Sequence, residues 1–264
     1  MNKALMIIFI LLTNACLYSQ DTVVVGDMIT DRPDQTESAE IVPVNLLQVE
    51  TGAVYELDNT DMLETENITY NNTLLRYGIA RNKELRLSFA FSGVTYKFSP
   101  GSLDTTKNLS GMAPVGLGIK TLIIPETGIL PQIAYLANFS LPYFAGKDFQ
   151  TEYVQTAHRV AFAHSITDAV GLGYNIGISW DGETPVPWWF YSFSLGLSLT
   201  EKLGGFVEGY GILSEETTPV HMADAGVTFS LKNNLQLDVS GGIGISGDAP
   251  DGFISAGFSW RIPE

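Results

Sequence analysis

Apolar and polar side chains alternate along most of the chain from Leu46 onward, and this is the period of a β-strand. The clearest stretch is "AVGLGYNIGISW" (169–180), where large apolar side chains alternate with glycine, asparagine and serine. The stretches "WWFYSFSLGLSL" (188–199) and "ELRLSFAFS" (84–92) repeat the pattern. One face of each predicted strand is therefore large and apolar, while the other is small or polar.

About twelve such segments follow one another, each close to the roughly 9–11 residues that a tilted membrane strand needs. The predicted spans are 46–57, 67–79, 84–96, 112–124, 129–141, 154–164, 169–180, 188–199, 204–213, 221–231, 235–245 and 252–262. Tight polar turns such as "ARNK" and "TEKL" alternate with longer loops such as "PYFAGKDFQTEY". Short turns at one rim and longer loops at the other are typical of bacterial outer-membrane barrels.

The amino-acid composition favours a membrane barrel over soluble β-folds. Charged residues make up only 16% of the chain and hydrophobic residues 45%. A soluble β-sandwich or lipocalin-like barrel would turn the small-residue face to water, yet soluble surfaces depend on interspersed charges. If the large apolar face meets lipid instead, the polar face lines a lumen, and barrel closure satisfies the backbone. We therefore predict an all-β fold, a transmembrane antiparallel up-and-down β-barrel of about 12 strands over residues 46–264, with short periplasmic turns and longer extracellular loops.

The first twenty residues have the features of a secretory signal peptide. Lys3 precedes the apolar run "ALMIIFILL", which is shorter than the roughly 20 residues of a membrane-spanning helix. We predict a cleaved signal peptide at 1–20 and a multi-pass β-barrel in the bacterial outer membrane. The single cysteine, Cys16, lies in this segment, so the mature chain would offer no disulfide and no thiolate ligand.

Residues 21–45 separate the signal peptide from the first strand and contain "ITDRPDQTESAEIVP" (29–43). This stretch has neither helical nor strand periodicity, and Pro33 and Pro43 keep it from joining the sheet as a central strand. Its position before the first strand places it at the periplasmic mouth of the barrel. We predict a plug or lid at or inside this opening; a simple linker is the alternative.

The charged side chains of this stretch suit a polar surrounding. The predicted lid residues are Asp31, Arg32, Asp34 and Glu37. We expect Arg32 to pair with Glu50 or Glu84, and Asp31 or Asp34 to pair with Arg76 or Arg86.

Strand parity places several charged or amide side chains on the small-residue face, where they avoid lipid. The predicted pore-lining residues are Glu50, Arg76, Glu84, Arg86, Lys120, Arg159, Asn175, Glu208, Asp224, Asp238 and Arg261. A basic side chain facing lipid at mid-bilayer would cost roughly 2–4 kcal/mol, which favours the inward placement. Because both signs are present, two roles remain open: a structural network that braces the interior, and a pore lining that selects solutes.

The last strand carries "SAGFSWRI" (255–262), which resembles the assembly signature of outer-membrane barrels. That signature reads polar, any, glycine, two of any, hydrophobic, any, hydrophobic. Ser255, Gly257, Trp260 and Ile262 fill these places. The predicted partners are therefore the barrel assembly machinery, outer-membrane lipid and lipopolysaccharide, and a small-molecule solute. The formal net charge of −15 argues against nucleic acid.

No enzyme, metal site or cofactor is predicted from the sequence. The chain contains no GxSxG, HExxH, phosphate-binding loop or EF-hand spacing. His164 precedes Ser165 at a predicted periplasmic turn, whereas a lipase site would lie near the outer leaflet. His158 and His221 have no evident serine partner. We predict no catalytic residue.

Several stretches together resemble a family of outer-membrane transporters named for the MetA pathway of phenol degradation. They are "TDRPDQTES", "VETGAVYE", "LLRYGIARNKELRL", "GLGIK", "LGYNIGISWD" and "FVEGYG", and their order extends from about residue 27 to the end. The resemblance implies a barrel that moves small, in some cases aromatic, molecules. Its recurrent polar positions correspond here to Asp31, Arg32, Glu50, Arg76, Glu84, Arg86, Lys120, Asn175 and Glu208.

The leading functional hypothesis is an outer-membrane channel or transporter that passes small solutes, including small aromatic or hydrophobic molecules, through a narrow mixed-charge lumen. The alternative is a closed structural or adhesive barrel that acts through acidic extracellular loops. A barrel lipid hydrolase is a more remote alternative.

Overall fold

The alternating segments form one antiparallel sheet in a computed structural model that describes residues 26–60, 62–98 and 105–263. Its strands are β1 (Leu47–Asn59), β2 (Leu63–Ala80), β3 (Lys83–Phe89), β4 (Phe91–Phe98), β5 (Thr105–Met112), β6 (Val115–Ile124), β7 (Gln132–Leu141), β8 (Gln155–Thr167), β9 (Val170–Trp180), β10 (Trp188–Ser198), β11 (Leu203–Leu213), β12 (Val220–Lys232), β13 (Leu235–Gly244) and β14 (Gly252–Ile262). Because β1 pairs with both β2 and β14, the sheet closes into a barrel. The predicted signal peptide lies outside the described residues.

Two strands of the barrel wall are each interrupted, so the described segments make a 12-strand barrel. The first interruption, at Ala90, divides β3 from β4, and the second, at Ala113 and Pro114, divides β5 from β6. Proline has no N–H to donate, which accounts for the break in the second strand. The breaks lie side by side, because Ala113 N donates to Ala90 O at 2.9 Å. The predicted fold is confirmed, and the prediction of one continuous strand at 84–96 is wrong.

The strand β5 was missed in the sequence, where residues 97–111 read as a loop. Its sequence "TTKNLSGM" is mostly polar and its side chains are mostly exposed, so it carries no alternation of large apolar residues. It extends the hairpin with β4 beyond the apolar band of the barrel. Next to it, two single-turn 3-10 helices, Pro142–Phe144 and Lys147–Phe149, follow β7. They cover this part of the wall, where Gly146 N donates to Met112 O at 2.8 Å.

The barrel is apolar outside and charged inside. Outward-facing Ile254 and Ile176 are 65% and 55% exposed, whereas inward-facing Arg76 and Glu84 are both 0% exposed. Soluble proteins show the opposite arrangement, with apolar side chains in the interior and charged side chains mostly on the surface. The soluble sandwich is therefore rejected, and the outward face meets lipid. No helix within the described ranges is long and apolar enough to cross a membrane.

The chain reaches β1 through a tight turn against β2. Asn45 adopts a left-handed conformation (φ 66°), and its N–H donates to Gly78 O at 2.9 Å. Val44 forms an isolated parallel bridge with Gly78. A Cβ at Gly78 would lie 2.2 Å from Pro43 O, so only glycine permits this close approach.

Candidate functional site

Residues 26–45, termed here the N-terminal segment, lie against the inward-facing side chains of the barrel wall. Apart from the bridge at Val44 they form no helix or strand, so their backbone N–H groups need other acceptors. Side chains of the wall supply them. The pairs are Asp31 N with Glu50 (2.9 Å), Gln35 N with Glu208 (2.7 Å), Glu37 N with Asn175 (2.8 Å) and Val42 N with Glu84 (2.8 Å).

The segment and the wall share a buried cluster of charges, termed here the ion network. Its members are Asp31 and Glu37 of the segment and Glu50, Arg76, Glu84, Arg86 and Lys120 of the wall. All seven belong to the residues predicted from the sequence, and the structure brings them together. The expected pairing of Asp31 with Arg76 or Arg86 is confirmed for both arginines, at 3.1 Å and 2.7 Å.

Arg76 occupies the centre of the ion network. Its Nη1 lies 2.9 Å from Glu50 Oε1 and its Nε lies 2.8 Å from Glu84 Oε1. Its Nη2 also donates to Glu40 O of the segment, at 2.9 Å. Lys120 Nζ lies 3.0 Å from Asp31 Oδ2 and donates to Ser38 O at 2.9 Å. Since the charges here, apart from that of Glu37, are almost fully buried, the cluster is stable only while each ion keeps its partners.

The tip of the segment, residues 32–36, is bound to the opposite wall. Arg32 Nη2 lies 2.8 Å from Asp238 Oδ1 and donates to Ser255 Oγ at 3.1 Å. The prediction that Arg32 would pair with Glu50 or Glu84 is therefore wrong for the side chain. A Cβ at Gly257 would lie 2.5 Å from Arg32 Nη2, so the glycine of the predicted assembly signal also makes room for this guanidinium.

The other tip residues bind to β10 and β11. Asp34 Oδ2 accepts a hydrogen bond from Ser194 Oγ at 3.1 Å, so of the two aspartates expected to pair with Arg76 or Arg86, only Asp31 does so. The Thr36 hydroxyl donates to Glu208 and lies 2.8 Å from Ser192 Oγ. The tip is thus bound by fewer ionic contacts than the part of the segment that meets the ion network.

One cavity lies on each side of this tip. The extracellular cavity measures 260 Å³ and is lined by inward-facing residues of the upper strands, including Val54, Leu74 and Phe253. The periplasmic cavity measures 520 Å³ and is lined by residues near the short turns, including Asp168 and Gly204. Both cavities are also lined by Arg32, Pro33 and Asp34. The tip therefore forms the partition between them.

The remaining predicted pore-lining residues are spread along the wall. Arg159 Nη1 donates to Asn175 Oδ1 at 2.7 Å. Arg261 lies at the periplasmic end, where its Nη2 donates to Gly26 O at 2.7 Å. Apart from Asn175, the sequence prediction missed the uncharged polar residues of the wall, because it selected mainly charged ones. Gln48 Nε2, for example, donates to Ile29 O at 2.9 Å; strand parity alone would have found it.

Asp224 is the exception among the buried wall carboxylates. Neither of its oxygens has a hydrogen-bond partner among the described residues. It lies directly opposite Glu208 in the β11–β12 pair. Like charges in this position destabilise a sheet, and an unpaired buried charge adds a desolvation cost.

We therefore expect Asp224→Asn to stabilise the barrel, since it replaces a buried carboxyl group that lies opposite Glu208 and has no cation within 4.0 Å among the described residues. The melting temperature should rise by about 2–4 °C for each kcal/mol gained, in a calorimetric scan in detergent. Asp238→Asn is the matched control and should lower the melting temperature, because it leaves Arg32 without its ion pair. Equal losses of stability in both variants would contradict the assignment of Asp224 as unpaired.

Several acidic residues on the side of the longer loops are bound within the protein. Glu64 and Glu66 belong to β2 and pair with Lys97. Asp251 accepts a hydrogen bond from Asn59 Nδ2 at 2.7 Å. In the loop after β9, the backbone N–H of Thr184, followed by that of Glu183, holds the pKa of Asp181 below its ordinary value.

Within the part of the chain that the structure describes, the histidine side chains contact tyrosine hydroxyls. His158 and His221 contact tyrosine hydroxyls, those of Tyr135 and Tyr191, at 2.7 Å and 2.8 Å. His164 lies 3.3 Å from the Tyr174 hydroxyl. Ser165 donates its hydroxyl to Glu126 at 2.8 Å, not to a histidine. Within the described part of the chain, no group of three or more His, Cys, Asp or Glu residues is arranged to hold a metal ion.

Comparison with solved structures shows the fold of outer-membrane barrels. An outer membrane channel from Pseudomonas putida F1 has a TM-score of 0.65 at 9% identity, covering 89% of this chain and 100% of that one. The transport unit of the autotransporter AIDA-I from Escherichia coli has a TM-score of 0.54 at 10% identity, covering 94% and 95%. The CymD monoaromatic hydrocarbon channel has a TM-score of 0.45 at 8% identity, covering 83% and 88%. At these identities the likeness concerns the fold alone.

Comparison of sequences identifies the family. No curated protein sequence matches the chain. The sequence profile described as MetA-pathway of phenol degradation, however, matches residues 30–262, which include the N-terminal segment from Thr30 and the whole barrel. The chain therefore belongs to the MetA-pathway of phenol degradation family.

Proposed function

We propose that the barrel is a passive outer-membrane channel for small solutes, and that the tip of the N-terminal segment closes it. The observation that carries this proposal is the pair of cavities, 260 Å³ and 520 Å³, on either side of Arg32, Pro33 and Asp34. Withdrawal of the tip would join them into one path from the long loops to the short turns. The family membership and the likeness to an outer membrane channel support the proposal.

The ion network fits a bracing role better than a selective lining. Arg76, Glu84 and Lys120 are 0% exposed, so they present no surface to a solute in this conformation. They hold the segment on both sides of its tip through Asp31 and Glu40. We therefore place the moving part of the gate at residues 32–36 and the fixed anchor at the ion network.

Export and assembly complete the proposal. The signal peptide at residues 1–20 would direct export, and β14 would engage the barrel assembly machinery through Ser255, Gly257, Trp260 and Ile262. Support comes from the position of β14, which pairs with β1 and so closes the barrel. Lipopolysaccharide would surround the rim that carries the longer loops.

The test of this function is conductance in planar bilayers, together with liposome swelling in arabinose. Wild-type protein should show discrete openings in KCl and admit arabinose. Bilayers without openings and liposomes without swelling would contradict the proposal, and would favour a closed barrel that acts through its loops.

Arg32→Gln should increase the time that the channel spends open. The substitution removes the ion pair between Arg32 and Asp238, which is the only salt bridge of the tip among the described residues. Arg81→Gln, in the exposed turn between β2 and β3, is the matched control and should behave as wild type. Identical open probability in all three proteins would mean that Arg32 does not hold the tip.

A further inference from the structure

We propose that the extracellular cavity binds a small organic anion, a carboxylate carried on a compact apolar body, through Arg159. This inference rests on the proposed function, because it names the class of solute that the channel would accept. It goes beyond that function in assigning a binding site above the tip and a residue that recognises the solute's charge.

The guanidinium of Arg159 has no ion-pair partner among the described residues, and one of its edges makes no hydrogen bond to them. It lines the cavity, yet no carboxylate oxygen of the described residues lies within 4.0 Å of it. Its Nη1 donates to Gln35 O at 2.8 Å and to Asn175 Oδ1 at 2.7 Å, whereas Nε and Nη2 make no hydrogen bond to the described residues. The ring of Phe190 lies 4.7 Å from the guanidinium carbon and holds the group in place. The Nε–Nη2 edge matches the spacing of two carboxylate oxygens, which arginine binds in bidentate fashion.

The other two cations at this cavity are already neutralised. Arg86 pairs with Asp31 and Glu37 at 2.7 Å and 2.6 Å, and Arg32 pairs with Asp238. The positive charge that an incoming solute meets is therefore that of Arg159. Asn138 also lines the cavity, and its amide makes no hydrogen bond to the described residues, so it can donate to the same ligand.

Three apolar side chains also line the cavity, among polar ones. Val54, Leu74 and Phe253 come from β1, β2 and β14 and offer contact for the hydrophobic body of a ligand, beside polar residues such as Asn72 and Ser255. The volume of 260 Å³ lies just below the roughly 300–1,000 Å³ of pockets for drug-sized ligands. A single aromatic or short aliphatic body with one carboxylate suits these dimensions.

Four acidic side chains line the cavity, and the one without a cation partner among the described residues competes with this assignment. Asp34 has no cation within 4.0 Å among the described residues and accepts a hydrogen bond from Ser194. A protonated amine could bind there instead of a carboxylate at Arg159. Asp34 also lines the periplasmic cavity, however, so it belongs to the partition itself, whereas Arg159 lines only the extracellular one of the two.

The test is isothermal titration calorimetry of the purified full chain in detergent, at low salt, with benzoate, benzyl alcohol and benzylammonium as probes. These ligands share one aromatic body and differ in charge. Benzoate should bind about tenfold or more tightly than benzyl alcohol, because hydrogen bonds to charged groups are the stronger ones. Equal binding of benzoate and benzyl alcohol, or tighter binding of benzylammonium, would overturn the proposal without the need for any variant.

Arg159→Gln should reduce benzoate affinity to that of benzyl alcohol, while Arg81→Gln in the exposed turn leaves it unchanged. Unreduced benzoate affinity in folded Arg159→Gln protein would overturn the assignment to Arg159. Liposome swelling in arabinose, run on the same preparations, reports separately on the channel. Swelling without benzoate binding would refute the binding site but not the channel. Benzoate binding without swelling would refute the channel but not the binding site.

Discussion

Deletion of residues 27–43 is expected to increase the single-channel conductance severalfold. The deletion removes the partition between the 260 Å³ and 520 Å³ cavities and the backbone that fills the lumen between them. The wall charges released from the segment would be hydrated by water in the widened lumen. Current steps in planar bilayers, recorded for matched amounts of wild-type and shortened protein, measure the effect.

The matched control replaces residues 27–43 with a Gly/Ser sequence of the same length. This control keeps the chain length but removes the carboxylates and N–H groups that bind the wall, so its conductance should approach that of the deletion. Conductance equal to that of the wild type in both variants would make the segment a tether and not a gate.

Arg76→Met should produce the largest loss of stability among single substitutions in the wall. It leaves Glu50 without a cation, while Asp31 and Glu84 lose one of their cations and keep Arg86 and Lys120. Removing one partner of a buried ion pair typically costs about 3–5 kcal/mol. Urea unfolding of the protein in lipid vesicles, followed by tryptophan fluorescence, measures this loss.

Arg81→Met is the control for Arg76→Met, because Arg81 lies in an exposed turn only five positions away. Substitutions at such surface positions usually change stability by less than about 0.5 kcal/mol. A loss for Arg76→Met no larger than that of the control would show that the network does not brace the barrel.

The barrel could be predicted because the pattern that indicates it lies within each single strand. A strand in lipid needs one large apolar face, and the alternation at 169–180 and 188–199 shows it directly. The same requirement explains which features of the fold the sequence prediction missed. Strand β5 lies outside the apolar band, so nothing selects large apolar residues at its alternate positions. The interruption at Ala90 leaves the alternation intact on both sides and is invisible in the pattern.

The sequence predicted which residues belong to the candidate site better than it predicted which of them pair with one another. Strand parity alone placed the wall carboxylates and arginines inside, because charge avoids lipid. The predicted partner of Arg32 was wrong. The actual partner, Asp238, is 206 positions away in the sequence and comes close to Arg32 only because the barrel closes. Uncharged contacts such as Thr36 with Ser192 depend on the path of a segment without regular structure, for which no periodicity exists.

The most direct test of the gate is a reversible lock between its tip and the wall. The side-chain oxygens of Thr36 and Ser192 lie 2.8 Å apart, so cysteines at these two positions would bring their sulfur atoms close together. The chain has one native cysteine, Cys16, within the predicted signal peptide, so the double variant Thr36→Cys/Ser192→Cys would form this bridge in the mature protein. Single-channel current should be abolished under oxidising conditions and restored by dithiothreitol. Equal current before and after reduction, with the bridge verified by mass spectrometry, would contradict a gate at the tip.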